Sequence, residues 1–476
     1  MMLPLPARFH PAALCRNVWL LPLVLLGACA SPPPSAAPAL GLPAAYKEAA
    51  PGSAVWHTAT PQIQVPGAWW TLFADPVLDA LQERAAQDNQ NIAQALARLH
   101  AARATLDAAG AARLPGLGAS ASSTRTGAGS SGSGGAAATS SHALALNASW
   151  ELDLWGRLSA TEDAARANAQ ATAADLAALR LSVQAGVAQT YFALRAAQAQ
   201  DRLYAESLQA YARSWELTRN RHRAGVVSAA DVAQAEAQYK STQVQRQEAQ
   251  TSRAQLEHAL AALTGQAPAA LRLDAGAELP APPALPAQVP AQLLERRPDI
   301  AAAQLRVQAA NAQIGAARAA FFPALTLSAS AGYRSTQWAD LLSAPHRVWS
   351  LGPALAASLF DGGARSAAVE SARAAQAQAE AAYRQTVLTA LQEVEDGLAA
   401  AAALEREDQW QTEAVAAAQR ALDVTLHQYQ AGTVGYLNVL SAQNAVLSAR
   451  RTVIDLRNRR LVAVATLLKN LAGGWE

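Results

Sequence analysis

No proline occurs between Pro115 and Pro268, and none after Pro353. Proline removes a backbone donor and breaks a helix from inside, so these two windows are open to uninterrupted helix of unusual length. Composition agrees with that reading. Half of the chain is apolar (51%), aromatics are 5%, and alanine supplies most of the apolar total. Alanine is the best helix former and buries little area, which favours long, closely packed helices over a bulky globular core.

Both windows carry a coiled-coil seam. Tyr204, Leu208, Tyr211, Trp215, Thr218 and His222 step alternately by 4 and 3, and Val387, Leu391, Val394 and Leu398 repeat the stepping. The first seam belongs to a helix predicted from about Ala160 to His222, about 60 residues and roughly 90 Å at 1.5 Å each. Each seam ends at a glycine-bearing stretch: His222 to Gln234 reads HRAGVVSAADVAQ, and Tyr429 to Gln443 reads YQAGTVGYLNVLSAQ. These stretches are expected to be the turned ends of two antiparallel helical hairpins, with Gly432 and Gly435 permitting the second turn. The return helices are expected to reach Leu263 and Leu471.

The chain is written twice at an offset of about 208 residues. Pro115 answers Pro323, Arg98 answers Arg306, Asp153 and Arg157 answer Asp361 and Arg365, and at 207 Ala224-Gly225 answers Ala431-Gly432. A period this long marks a duplicated domain, not a solenoid. Each copy opens with a helix of about 22 residues, Asn89 to Ala112 or Asp299 to Ala320, followed by strand, loop and strand. Leu325, Leu327, Ala329, Ala331 and Tyr333 alternate with Thr326, Ser328, Ser330 and Gly332, and a return strand places Trp349, Leu351, Pro353, Leu355, Ala357 and Leu359 on one side. In the first copy Leu144, Leu146, Ala148, Trp150, Leu152 and Leu154 alternate with Asn147, Ser149, Glu151 and Asp153. One apolar and one polar face suits a lipid-facing strand with a wet interior; period two alone suits a soluble half-buried hairpin as well. Gly127 to Ser141 and Arg334 to Arg347 read as exposed loops.

The first 28 residues read as a signal peptide: Arg8 and Arg16, an apolar run from Val18 to Leu26, then Leu26-Gly27-Ala28-Cys29, a site for cleavage and lipidation at Cys29. Cys29 is then the only cysteine, which excludes an internal disulfide and a thiolate metal cage. With Arg8 and Arg16 removed, 36 basic residues face 36 acidic ones, so nothing in the charge calls for nucleic acid. Beyond the signal no run of 18 apolar residues exists, so a membrane-crossing form would have to be a β-barrel. Four strands per chain cannot close one, since the smallest barrels need eight. Three chains would supply twelve strands and twelve long helices. The predicted fold class is therefore α+β: a membrane β-barrel closed by several copies, twelve-stranded if three associate, continued by an α-helical coiled-coil barrel.

Five stretches in order carry a resemblance to a known family: Trp69-Trp70-Thr71-Leu72-Phe73-Ala74-Asp75-Pro76, Leu293-Leu294-Glu295-Arg296-Arg297-Pro298-Asp299-Ile300, Leu359-Phe360-Asp361-Gly362-Gly363, Tyr436-Leu437-Asn438-Val439-Leu440 and Leu471-Ala472-Gly473-Gly474-Trp475. Together they resemble the outer membrane efflux proteins of the NodT type, relatives of TolC and OprM, over essentially the whole mature chain. The resemblance implies a trimeric outer-membrane channel serving a periplasmic adaptor and an inner-membrane RND-type pump, without cofactor or metal. It divides the chain into a signal peptide (1–28), a lipid-anchored tether and equatorial segment (29–88), repeat 1 (89–265), a Pro-rich linker (266–298) and repeat 2 (299–476). It places the periplasmic aperture at Tyr436, Leu437, Asn438 and Ser441, and adaptor-docking tips at Gly225, Asp231, Gly432 and Gly435. Leu437 falls on the family's apolar ring, whereas Ser441 falls where the family commonly has an acid. Serines do not bind divalent cations as carboxylates do, so closure is expected to rest on Leu437 packing and interhelical hydrogen bonds, with weak sensitivity to cations.

Locally, Pro298 and Asp299 suit a helix start, Gly362-Gly363 eases a strand into a helix that Asp361 can cap, and Trp69, Trp70 and Phe73 read as core. Trp150 and Trp349 suit either an interfacial belt or buried packing. No HExxH, paired CxxC or GxxxxGK[ST] occurs, and His222 and His427 near the tips read as surface or seam residues. Two other function classes fit less well. A periplasmic adaptor lipoprotein carries one main hairpin where this chain has two, and an enzyme on a helical scaffold lacks a site constellation. Type I protein secretion is the nearest alternative within the channel reading.

Overall fold

The computed structural model describes residues 56–57, 67–127, 138–273, 279–283, 285–286 and 297–471. The signal peptide, Cys29, Leu293 to Arg296 and Gly473 to Trp475 lie outside them. Among the described residues seven α-helices are formed: α1 (Pro76–Asp88), α2 (Gln90–Ala111), α3 (Arg157–Arg223), α4 (Ala229–Leu263), α5 (Pro298–Ala319), α6 (Ala364–Gln430) and α7 (Tyr436–Leu471). The strands are β1 (Trp56–His57), β2 (Gly116–Thr126), β3 (Thr139–Leu152), β4 (Leu285–Pro286), β5 (Ala324–Ser335) and β6 (Arg347–Ala356). The two long helices, α3 and α6, each have 67 residues and fill the proline-free windows. None of the helices is long and apolar enough to cross a membrane.

The chain divides into two compact units. One comprises, among the described residues, those of Ala101–Gln170 and Gln304–Ala381 and contains an antiparallel sheet of order β2-β3-β5-β6. The β3 to β5 pairing, Leu144 opposite Tyr333 and Trp150 opposite Leu327, joins the two repeats within the chain. Strands β2 and β6 are its unpaired edges. Three expectations shift here. Strand β3 begins at Thr139, inside the segment read as loop, and ends at Leu152 before Leu154. Strand β6 ends at Ala356, so Ala357 and Leu359 lie beyond it, and Leu359 is fully exposed. The cause is the strand-to-helix junction, where Gly362 and Gly363 take φ of 64° and 94° and Asp361 accepts the amides of Gly363 and Arg365. In the repeat-equivalent junction Asp153 accepts the amides of Leu158 (3.0 Å) and Ser159 (2.7 Å), and Trp155 stacks on Phe322 at 4.8 Å.

The other unit comprises the described residues within Leu40–His100, Ala171–Ala303 and Ala382–Glu476. Its core gathers Trp69, Phe73, Leu78, Tyr191, Phe192, Val394, Leu398, Leu461 and Leu467, each worth about 1.5–3 kcal/mol when fully buried. Trp69 and Phe73 are core as expected, while Trp70 is partly buried against it. Asp75 caps α1 by accepting the amides of Val77 and Leu78, and Tyr191 donates its hydroxyl to the same carboxylate at 2.6 Å. Ahead of α5, buried Arg297 donates to Asp299 (2.7 Å) and to Glu393 on α6 (2.9 Å), tying the linker to the helices. Burial would raise the Asp299 carboxyl, but the hydrogen bond and charge of Arg297 outweigh it and hold the group below its ordinary range.

Candidate channel aperture at the hairpin tips

Both hairpin turns end their first helix in the same way. Gly225 (φ 74°) and Gly432 (φ 79°) take the left-handed conformation that side chains resist. Around them the amides of Gly225 and Val226 bond the carbonyls of His222 and Arg221, and those of Gly432 and Thr433 bond the carbonyls of Tyr429 and Gln428. This paired pattern satisfies the last carbonyls of each helix.

The return helices start differently. Ser228 caps α4 in a reciprocal box: its hydroxyl accepts the Asp231 amide at 3.2 Å, and Asp231 accepts the Ser228 amide at 3.0 Å. Asp231 is thus committed to its own helix. At α7 the equivalent positions are Gly435 and Asn438, and the Asn438 backbone amide bonds the Gly435 carbonyl at 3.2 Å. Gly435 does not take a positive φ, so the turn requires Gly432 and not Gly435.

The two tips are joined by packing and by one cation. Tyr429, Tyr436, Val439 and Ala235 form a small buried cluster, with Trp215, Leu426, Val434 and Leu440 partly buried against it. The rings of Tyr429 and Tyr436 meet edge to face at 5.7 Å. From the first hairpin Arg221 donates to the Tyr429 carbonyl at 2.7 Å, with its guanidinium 4.6 Å from the centre of the Tyr429 ring. Gln443 donates to Ser214 Oγ at 3.1 Å about two turns further along.

Of the four expected aperture residues, three share an exposed face and one does not. Leu437 (59% exposed), Asn438 and Ser441 stand on the outer side of α7, continued by Asn444 and Ser448. Tyr436 is only 1% exposed and belongs to the tip core, off the face that the other three share. A helix turns 100° per residue, so neighbours 436 and 437 face different ways. Burial pushes the Tyr436 hydroxyl up to about 12, with the Tyr429 and Tyr211 rings adding to it. Gly225, Gly432 and Gly435 are exposed, and Asp231 is half-buried in its box. His222 is exposed and donates its Nδ1–H to the Val227 carbonyl at 2.9 Å, outside the seam on which its spacing placed it. Arg221 was not singled out by the sequence; its basic character in the last helical turn was the available signal.

A family model described as outer membrane efflux protein matches residues 81–266 and 289–473, one segment for each repeat. The chain belongs to the outer membrane efflux protein family. Among its relatives, the pyoverdine export outer membrane protein OpmQ of Pseudomonas aeruginosa is 34% identical over 95% of this chain and 95% of its own length. Outer membrane protein OprJ of the same organism is 32% identical over 96% and 95%. The solved structure of the outer-membrane channel OprN superposes with a TM-score of 0.86 at 30% identity, covering 94% of this chain and 99% of that one. This efflux protein is thus an outer-membrane component of an export system, on a fold shared with solved channels.

Proposed function

We propose that this chain forms the outer-membrane duct of a tripartite efflux pump, as a homotrimer anchored in the bilayer by its sheet and by a lipid on Cys29. The observation that carries the reading is the sheet with two unpaired edges, β2 and β6, and one apolar face. An unpaired edge in hydrocarbon leaves backbone groups unsatisfied, which only closure removes. The pairing of β3 with β5 inside the chain supplies the template: β6 of one copy pairs with β2 of the next, giving twelve strands from three copies. Exposed Phe360 and Leu359 beyond the end of β6, and Leu114 ahead of β2, are the apolar groups such a seam would cover.

The helical hairpins continue the barrel as a periplasmic tube, and the tips meet a periplasmic adaptor that couples the duct to an inner-membrane RND-type pump. Gly225, Asp231, Gly432 and Gly435 mark the docking tips, with Asp231 shaping the first of them through its cap. Leu437 narrows the passage, bordered by Asn438 and Ser441. With no carboxylate on that exposed face, divalent cations have no ring to hold, so blocking by magnesium is weak. The cargo belongs to the small molecules.

The test is conductance of full-length protein in planar bilayers, after its oligomeric state is measured in detergent. Leu437→Ala widens the constriction and raises single-channel conductance, with added magnesium changing it little. Unchanged conductance in Leu437→Ala would move the constriction elsewhere, and a monomer without β-sheet signal would sink the duct.

A further inference from the structure

Strand register assigns each side chain of the sheet to one of its two faces. Leu144, Tyr333 and Arg347 stand in one row across β3, β5 and β6, and Leu146, Ala331 and Trp349 form the next row on the same face. Trp150, Leu327 and Pro353 form a row nearer the helical end. On β2 this face holds Ser123, opposite His142, and two residues further Arg125, opposite Ser140. Arg334 is paired with Ala143 and belongs to the polar face.

The apolar face therefore ends, on its loop side, in cations and aromatics. Arg125, Arg334, Asp340 and Arg347 are the only Arg, Lys, Asp or Glu residues between Gly116 and Trp150 or between Ala324 and Ala356. Arg125 and Arg347 are exposed. Trp338 (64% exposed) lies against the buried His142 ring at 4.6 Å, and Trp349 is 79% exposed beside Arg347. Aromatics at this level mark a membrane–water boundary. Arginine on a lipid-facing surface is costly at mid-bilayer and tolerated near the boundary. Its planar fork of donors fits phosphate with two parallel hydrogen bonds. Arg125 and Arg347 also sit on the two edge strands, so in the proposed ring they flank the same seam from neighbouring copies.

We propose that Arg125 and Arg347 bind the phosphate of lipid headgroups in the leaflet that meets the loop end of the sheet. The site rests on the duct reading, since it needs the apolar face to meet lipid. Titrating the full-length protein in neutral detergent with phosphatidylglycerol or phosphatidylcholine, read by native mass spectrometry, tests it. Phosphatidylglycerol binds more tightly than phosphatidylcholine, and its Kd rises about five-fold in Arg125→Gln or Arg347→Gln and about twenty-five-fold in the double variant. Arg334→Gln, which removes the same charge from the polar face, leaves it unchanged. Equal losses in Arg334→Gln, or no preference between the two lipids in an assembled trimer, would overturn the site alone. A protein that stays monomeric and does not enter vesicles removes the duct reading and the site with it.

Discussion

Arg221→Ala tests whether the two hairpin tips are held together by one side chain. The wild-type guanidinium donates to the Tyr429 carbonyl at 2.7 Å and lies 4.6 Å from the Tyr429 ring centre. A hydrogen bond from a charged group contributes about 1.5–3 kcal/mol, and a partly desolvated cation–π contact about 0.5–2 kcal/mol. The lower part of that range applies, because the Tyr429 carbonyl keeps a second donor, the Gly432 amide at 3.0 Å, and is not left unsatisfied. A loss of about 2 kcal/mol corresponds to roughly thirty-fold in the opening equilibrium of the second tip. Native-state hydrogen exchange at Gly432 and Thr433, whose amides close the α6 end, reads that equilibrium directly. Arg221→Ala is expected to accelerate both by about thirty-fold, with Arg221→Lys intermediate because it keeps charge but not the planar fork. A double-mutant cycle with Tyr429→Leu then gives a coupling well above zero. Wild-type exchange in Arg221→Ala, or full additivity in the cycle, refutes the tie.

The remaining predictions concern the turns and the linker. Gly432→Ala forces a side chain into φ 79° and costs about 1–2 kcal/mol of tip stability, whereas Gly435→Ser meets no atom within 4 Å and gains a few tenths by capping α7; exchange at the same amides ranks the two. Because Asp299 is held below its ordinary range, its contribution is complete above the unfolded value of 3.8 and drains away as pH falls through the lower folded value. Thermal melts across the acid range should therefore steepen in wild type and flatten in Asp299→Asn, which loses stability already at neutral pH. The loss is about 1–2 kcal/mol, the low end for a buried pair, since the Asp299 side chain is 37% exposed.

Helices α3 and α6 were legible because absent prolines and 4,3 stepping are local signals: Tyr204, Tyr211 and Thr218 are buried, as are Val387, Val394 and Leu398. Less legible was anything set by a partner. Arg221 meets Tyr429 across 208 residues, and nothing near either marks the other. Helix phase separates Tyr436 from the other three expected aperture residues, and that phase was available in the sequence. Tyr436, Val439, Gln443 and Val446 repeat at coiled-coil spacing and are buried, while Leu437 shares its stripe with Ser441, Asn444 and Ser448. An apolar residue whose helical neighbours at i+4 and i+7 are polar is on an exposed face, and that rule separates Leu437 from Tyr436.

Duplication gave the two hairpins one backbone design, and their caps have diverged. The first tip closes on itself: Gly225 ends α3, and Ser228 with Asp231 starts α4. The second has Gly432 for its stop but only Gly435 and Asn438 for its start, lacking a box whose removal typically costs about 1 kcal/mol. What it lacks locally it obtains from the first hairpin, through Arg221 on the Tyr429 carbonyl and Ser214 on Gln443. A tip secured by a neighbour is also a tip that moves when the neighbour does. Installing the missing box in Gly435→Ser with Asn438→Asp should stabilise the tip without Arg221, and Arg221→Ala on that background should then accelerate exchange at Gly432 far less than about thirty-fold. An undiminished effect would mean that Arg221 acts on the position of the hairpin and not on the stability of its turn.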